Sequence, residues 1–373
     1  MMTGIPLIIV FVLAIIVMVA AISKYKIHPF LSIMAVSLIF GVIAGIPLKD
    51  IPGVLGAGFS GTFTSIGIVI IFGALVGTLL EKTGAALKMA DVVVTLVGKK
   101  NPELAIIIMG WIVSIPVFCD SGFVVLNPIR KALVKRTGAS SVAMTVALSM
   151  GLYISHCFIP PTPGPIAAAN ALGIGDNILL VIGLGALLSI PPLIAGYLFA
   201  KYIGKRVSAR DDNADMDLVK SYEELIAEYG RLPSGVMSFA PIIVPIFLMG
   251  LASAFSMAKV SISAIIFLGT PIIALAVGVI LGVILLVQSG KAKDFYEITN
   301  DTLKTVGPIL FITAAGGVLG KVISVSGMVQ YITENSSVLS TIGIFFPFVL
   351  AAILKTAQGS STVAITTTAG MLA

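Results

Sequence analysis

One carboxylate of this sequence lies where a carboxylate is costly. Asp120 falls near the centre of an apolar run over 104–129, whereas we place the other acidic residues in loops or at the ends of apolar segments. An ionisable side chain deep in a membrane segment is a functional-site hypothesis by default, and desolvation raises the pKa of a carboxyl group. We therefore predict that Asp120 carries a coupling proton. The alternative is that Asp120 caps a helix that starts there.

A second pattern is a helix break beside a histidine. His156 precedes the run Pro160-Pro161-Thr162-Pro163-Gly164-Pro165, which cannot continue a helix. A broken span exposes a helix N-terminus that attracts anions, so Thr162 and Asn170 are candidate substrate ligands. His156, with an unperturbed pKa of about 6.5, is the alternative proton carrier. The simpler interpretations are a buried histidine bonded to a backbone carbonyl and an Asn170 that only joins helices.

A third polar cluster interrupts the apolar run over 342–370. Its neutral donors and acceptors suit a polyhydroxyl ligand or an ion, although such residues also join membrane helices. Lys355 would pair with a substrate carboxylate or extend to the membrane surface. The predicted substrate-binding set is Ser121, Gly122, Thr162, Asn170, Lys355, Gln358, Gly359, Ser360, Ser361 and Thr362.

The composition limits the class of protein that carries these residues. Of 373 residues, 58% are hydrophobic and 11% are charged, whereas soluble domains carry about 25% charged residues. This excludes a soluble enzyme, a disordered chain and a disulfide-stapled domain. Cys119 and Cys157 lack metal-type spacing, and we expect no metal or cofactor.

Long apolar stretches must position these residues, because a helix needs about 20 residues to cross the hydrocarbon layer. The sequence predicts an all-α polytopic membrane protein. Its polar stretch 201–235, with a short helix near 216–229, is the expected connector between an N-terminal half (1–200) and a C-terminal half (236–373). The predicted spans are 4–22, 29–47, 64–80, 141–173 with an interruption, 177–200, 236–255, 264–288 and 308–326.

The basic residues orient these spans. With the N-terminus outside and 201–235 cytoplasmic, 19 of the 23 Lys and Arg residues face the cytoplasm, as the positive-inside rule requires. The net charge of +6 therefore calls for no nucleic-acid partner. Both flanks of 104–129 are basic, yet 26 residues are too many for one span and too few for two. We predict a re-entrant hairpin with its tip at 119–122, buried in protein or lining an aqueous cavity.

A glycine pattern indicates an internal repeat. Each copy precedes an interrupted apolar run, 104–129 in the first and 342–370 in the second. By span counting the two runs enter from opposite sides, so we predict inverted repeats with re-entrant hairpins and discontinuous helices, typical of secondary transporters. The glycines that recur with a constant offset of 243 are Gly73, Gly77 and Gly84 in the first copy and Gly316, Gly320 and Gly327 in the second.

The whole chain resembles the gluconate permease (GntP) family of bacterial proton-coupled sugar-acid transporters. The resemblance implies an ion-transporter-like fold in the bacterial inner membrane, in which two hairpin tips and two discontinuous helices enclose the substrate, and it is compatible with a homodimer. It also implies further membrane segments after residue 373, so the chain is expected to be C-terminally truncated and to lack the second discontinuous helix. The segments that carry it are PVFCDSGFVVLNPI (116–129), SHCFIPPTPGPIAAAN (155–170) and LKTAQGSSTVAITTTAG (354–370).

The leading hypothesis is proton-coupled uptake of gluconate or a related small hydroxy monocarboxylate, with protons and the lipid bilayer as the other partners. A cation/proton antiporter would also need a deep carboxylate but has less use for Lys355. An intramembrane hydrolase is a remote alternative, because there is no HExxH motif and Asp120 has no second deep carboxylate beside it. We therefore expect a transporter and no catalytic residues.

Overall fold

A computed structural model describes residues 4–97, 101–115, 117, 119–175, 177–208, 232–257, 260, 262–328, 331, 343, 345–358 and 361–372. These residues form helices and turns, with no β-strand among them. The predicted connector helix at 216–229 lies outside them. In chain order the α-helices are α1 (Ile5–Ser23), α2 (Pro29–Ile43), α3 (Ile51–Thr62), α4 (Ile68–Lys82), α5 (Ala85–Val97), α6 (Pro102–Val113), α7 (Cys119–Thr137), α8 (Ser141–Phe158), α9 (Pro163–Ala171), α10 (Ile178–Gly204), α11 (Gly235–Met257), α12 (Ser263–Gly269), α13 (Pro271–Gln288), α14 (Phe295–Val325), α15 (Phe345–Gln358) and α16 (Ser361–Leu372).

Within the described ranges, six helical stretches are long and apolar enough to cross a membrane. Large apolar side chains on these helices remain exposed, for example Leu187 and Leu198 on α10. Such a surface favours lipid over water as its surroundings. This confirms the prediction of an all-helical polytopic membrane protein. The six stretches are Ile5–Ser23, Ser141–Phe158, Ile178–Gly204, Gly235–Ala252, Pro271–Gln288 and Ala292–Val325.

Some predicted spans differ from the helices. The span 264–288 is two helices, because Pro271 begins α13 and cannot donate the backbone hydrogen bond that would continue α12. The span 308–326 is only the second part of α14, which begins at Phe295. The sequence analysis also missed α3, since four glycines among its 12 residues obscure its apolar character. A π-helical turn, Phe63–Gly67, joins α3 to α4.

The interruption in the run 104–129 lies earlier than predicted. Helix α6 ends at Val113, and α7 begins at Cys119. The predicted tip at 119–122 is therefore wrong, because these residues form the first turn of α7. The physical reason is Pro116, which disfavours helical backbone at the residue before it. The Ser114 hydroxyl donates to the Val117 carbonyl across the turn, at 3.0 Å.

The other two predicted interruptions are observed. Helix α8 ends at Phe158 and α9 starts at Pro163, so Pro163 and Pro165 occupy the first turn of α9, where a missing N–H costs nothing. Helix α15 ends at Gln358 and α16 begins at Ser361. Helices α15 and α16 pack against each other, and α16 also packs against α9.

The chain forms two compact units that do not follow chain order. Unit 1 comprises Met1–Ile68, Pro163–Asp176 and Lys304–Ala373. Its core joins α1 and α2, where the Phe11 and Phe40 rings meet edge to face with centroids 5.7 Å apart, to apolar side chains of α14. The predicted halves 1–200 and 236–373 are the two copies of a sequence repeat, whereas these units are defined by how compactly the helices pack. The halves therefore stay a prediction.

Unit 2 comprises Val69–Thr162 and Asn177–Leu303. In this unit α6 packs against α8 through glycines, as membrane helices often do. A Cβ on Gly151 would overlap the Ile107 carbonyl oxygen, and one on Gly110 would lie 2.9 Å from the Leu148 carbonyl oxygen. The contact therefore needs glycine on both helices.

Candidate functional site

A cavity of about 430 Å³ lies within unit 1, and small-ligand sites usually occupy about 300–1,000 Å³. Four helices contribute to it. Three of them do so through residues one, three or four apart, which share one helix face, and the fourth contributes a single threonine. The lining residues are Ala57, Gly58, Gly61 and Thr62 on α3, Ala167, Asn170 and Ala171 on α9, Thr313, Gly317, Gly320, Lys321 and Ser324 on α14, and Thr366 on α16.

Glycines set the spacing of the helices around this cavity. A Cβ on Gly58 would lie 2.7 Å from the Val318 Cα and 2.8 Å from the Gly317 carbonyl oxygen, both backbone atoms of α14. A Cβ on Gly317 would overlap the Thr62 hydroxyl. Helices α3 and α14 therefore touch backbone to backbone. Gly61 differs, because no described heavy atom lies within 4 Å of a Cβ added there.

Three aromatic rings reinforce the contact between α3, the π-helical turn and α14. Phe59 and Phe63 stack with centroids 5.2 Å apart, and Phe311 lies 6.3 Å from Phe59 and 5.9 Å from Phe63. Such ring pairs add about 0.5–1.5 kcal/mol each beyond the burial of their area. The cluster holds together the helix faces that carry Thr62 and Thr313.

Three neutral polar side chains of the cavity each donate a hydrogen bond to a backbone carbonyl of their own helix. The Thr62 hydroxyl donates to the Gly58 carbonyl at 3.1 Å, and the Thr313 hydroxyl donates to the Ile309 carbonyl at 2.7 Å. The Asn170 amide donates to the Ile166 carbonyl at 3.0 Å. A threonine hydroxyl has one donor and two acceptor lone pairs. These side chains therefore use a donor on their own helix and retain oxygen lone pairs as acceptors.

One of the predicted substrate-binding residues lines this cavity. Asn170 lines it, and Thr366, one turn after Thr362 on α16, lines it as well. Thr362 is buried where α16 meets α9, with its Cα 3.6 Å from a Cβ added at Gly164. Ser361 begins α16. Asn170 of α9 and Thr366 of α16 therefore line the same cavity, and their role as substrate ligands stays a prediction.

Other predicted residues of unit 1 are elsewhere or not described. Lys355 is half-buried in the last turn of α15 and does not line the cavity. Gln358 ends α15, and its side chain lies outside the described residues, as do Gly359 and Ser360 entirely.

The remaining predicted residues belong to unit 2. Thr162 is buried, and its hydroxyl donates to the Ile159 carbonyl at 2.6 Å in the turn before α9. His156 is buried in the last turn of α8. Gly122 is buried in α7, where an added Cβ would lie 2.7 Å from the Leu152 Cδ2. Asp120 and Ser121 are in the first turn of α7, and their side chains lie outside the described part of the chain.

Sequence reasoning missed several residues of the cavity. Thr62, Thr313 and Lys321 were not among the predicted ligands, and Gly61 was not considered. The available signal was the density of glycine in 53–61, which is typical of close packing between membrane helices. Among the described residues, no group of three His, Cys, Asp or Glu side chains is arranged to hold a metal ion.

Comparison with known proteins agrees with this membrane architecture. The sequence model of GntP family permeases matches residues 5–373. An uncharacterized permease of Haemophilus influenzae is 33% identical over 99% of this chain and 78% of its own length. An inner membrane permease of Escherichia coli is 30% identical over 100% of this chain and 84% of its own length. A gluconate permease of Zymomonas mobilis is 28% identical over 96% of this chain and 80% of its own length.

The family match covers nearly the whole chain, and it coincides with the apolar helices that the structure shows. Its members are permeases, so the chain is a membrane transporter rather than an enzyme. This multi-pass inner-membrane protein belongs to the GntP permease family.

Proposed function

We propose that the protein takes up gluconate or a related small hydroxy monocarboxylate together with protons. The observation that carries the substrate class is the cavity of unit 1, in which Thr62, Thr313 and Asn170 retain acceptors that suit the hydroxyl donors of a sugar acid. The name of the Zymomonas mobilis relative, a gluconate permease, supports the same class. Protons and the substrate are then the ligands that cross the membrane.

The uptake assay uses purified protein in liposomes loaded at neutral pH. Labelled gluconate is added with the outside made acidic, and a matched sample has equal pH on both sides. We expect accumulation above the outside concentration only with the acidic outside, and its loss when a protonophore is added. Accumulation without dependence on the pH gradient rejects proton coupling. Gradient-driven exchange of a metal cation without gluconate uptake would indicate the antiporter instead.

For proton coupling we propose Asp120 as the carrier. Its place in the first turn of α7, directly after an interruption in an apolar run, supports this assignment, since an ionisable residue within a membrane segment is a functional-site hypothesis by default. Asp120→Asn imitates the protonated state, so it should abolish accumulation while retaining exchange of labelled for unlabelled gluconate, which needs no net proton release. His156→Gln should reduce accumulation less. Undiminished gradient-driven accumulation by Asp120→Asn would assign the proton to another group, with His156 as the next candidate.

We also propose that the interrupted segments are re-entrant hairpins in inverted repeats, with the N-terminus outside and the connector cytoplasmic. The helix ends at Val113 and Gln358, together with the basic flanks of 104–129, support this topology. In a protein whose native cysteines are replaced by serine, single cysteines at positions 100 and 133 should react with a membrane-impermeant thiol reagent from the cytoplasmic side only. Labelling from opposite sides would reject the first hairpin.

A further inference from the structure

Lys321 is the one formally charged side chain among the described residues that line the cavity. It lies near the C-terminal end of α14, and its Cβ would be 2.9 Å from a Cβ added at Gly58 of α3. The side chain is exposed. Among the described residues, no carboxylate lies within 4.0 Å of its ammonium group and no side chain or carbonyl accepts a hydrogen bond from it. The cavity therefore has a cation whose donors are available to a ligand.

The neighbouring neutral side chains offer hydrogen-bond acceptors, whereas Lys321 offers only donors. Each of three side chains donates a hydrogen bond to a carbonyl of its own helix: the hydroxyls of Thr62 and Thr313 and the amide of Asn170. A lysine ammonium carries three donors and no acceptor. A complementary ligand therefore needs hydroxyl donors for the neutral residues and an anionic acceptor for Lys321. One molecule with hydroxyls and a carboxylate has both features.

We propose that Lys321 binds the carboxylate of the substrate, and that Thr62, Thr313 and Asn170 accept hydrogen bonds from its hydroxyls. This inference deepens the proposed function and rests on it, because it assigns the recognition of charge within the same cavity. It replaces Lys355, which the sequence analysis favoured and which does not line the cavity. Lys321 thereby decides between a sugar acid and a neutral polyol of the same carbon chain.

A structural role for Lys321 predicts different behaviour. A cation near the C-terminal end of a helix interacts favourably with the helix dipole, and a lysine can extend its ammonium group toward the membrane surface. Replacing such a lysine would lower stability without changing which ligand is preferred. The decisive quantity is therefore the preference for gluconate over glucitol, the alcohol in which a hydroxymethyl group replaces the carboxylate.

The experiment measures the binding of gluconate and of glucitol to the purified full chain by isothermal titration calorimetry, with gluconate uptake measured in parallel. The variants are Lys321→Gln, Lys321→Arg and, as the matched control, Lys304→Gln, an exposed lysine of the same helix that does not line the cavity. Lys321→Gln should weaken gluconate binding about 10- to 100-fold, as expected for the loss of a hydrogen bond to a charged group. Binding of glucitol should change less than about twofold.

Lys321→Arg should restore part of the preference, because it retains the charge, and Lys304→Gln should match the wild type. An unchanged gluconate preference in Lys321→Gln overturns the inference, as does a loss of preference in Lys355→Gln with Lys321→Gln normal. If the wild type accumulates gluconate and Lys321→Gln does so with unchanged KM, the proposed function stands and the role of Lys321 fails. If the wild type neither binds nor accumulates gluconate or other hydroxy acids, both fail.

Discussion

The contact between α3 and α14 provides the most direct test of how the cavity is built. In Gly58→Ala the new Cβ would lie 2.7 Å and 2.8 Å from two backbone atoms of α14, so the helices must separate. Overpacking of this kind costs about 1–3 kcal/mol, and the better helix propensity of alanine returns about 1 kcal/mol. The expected net loss of stability is about 0–2 kcal/mol, which lowers the midpoint of thermal unfolding by up to about 3 °C for a chain of this length. Relative to an alanine that gains the helix propensity without the overlap, the loss is about 1–3 kcal/mol.

The matched control is Gly56→Ala on the same helix, because no described heavy atom lies within 4 Å of a Cβ added there. Both variants are heated in detergent, and the fraction that remains monodisperse is measured by size-exclusion chromatography. Gly56→Ala should equal or slightly exceed the wild type. Because Gly58 also lines the cavity, Gly58→Ala should raise the KM for gluconate uptake as well. A midpoint for Gly58→Ala equal to that of Gly56→Ala would show that the helices do not approach as closely as we describe.

Three further substitutions test other parts of the molecule. Gly61→Val should raise the KM for gluconate without lowering the thermal midpoint, since its side chain enters open space beside the cavity; a lowered midpoint with normal KM would contradict this. The buried Arg130 guanidinium donates to Asn127 Oδ1 and Ser141 Oγ, both at 2.8 Å. Arg130→Gln should therefore destabilise the protein by about 1.5–3 kcal/mol. Arg130→Lys should recover only part of the unfolding midpoint. Ser140→Ala removes the side-chain cap of α8, a 3.3 Å bond, and should cost about 1 kcal/mol, whereas Ser140→Asp should retain most of the stability in the same assay.

The all-helical membrane class and two of the three helix interruptions were predictable from the sequence. Backbone groups in hydrocarbon must be satisfied within the segment, so long apolar runs specify helices without any knowledge of their neighbours. Proline lacks an N–H and disfavours helical backbone at the residue before it, so a cluster of four prolines predicted the break between α8 and α9 where it occurs. The wrong prediction of a tip at 119–122 arose because this effect of proline was not applied to Pro116. The polar triplet Asp120-Ser121-Gly122 suggested the tip, whereas the break follows from Pro116, four residues before Asp120.

The cavity was decided by the tertiary structure. Its lining comes from 57–62, 167–171, 313–324 and Thr366, and glycine, alanine and threonine at these positions show no local pattern that distinguishes a site from ordinary helix packing. Two lysines show what the sequence could not predict about the cavity. Lys321 and Lys355 both lie near the ends of apolar helices, and only the packing of α3 against α14 brings Lys321 to the cavity. Sequence by itself determines which groups must avoid lipid, whereas the neighbour that each side chain meets depends on helix contacts between residues far apart in the chain.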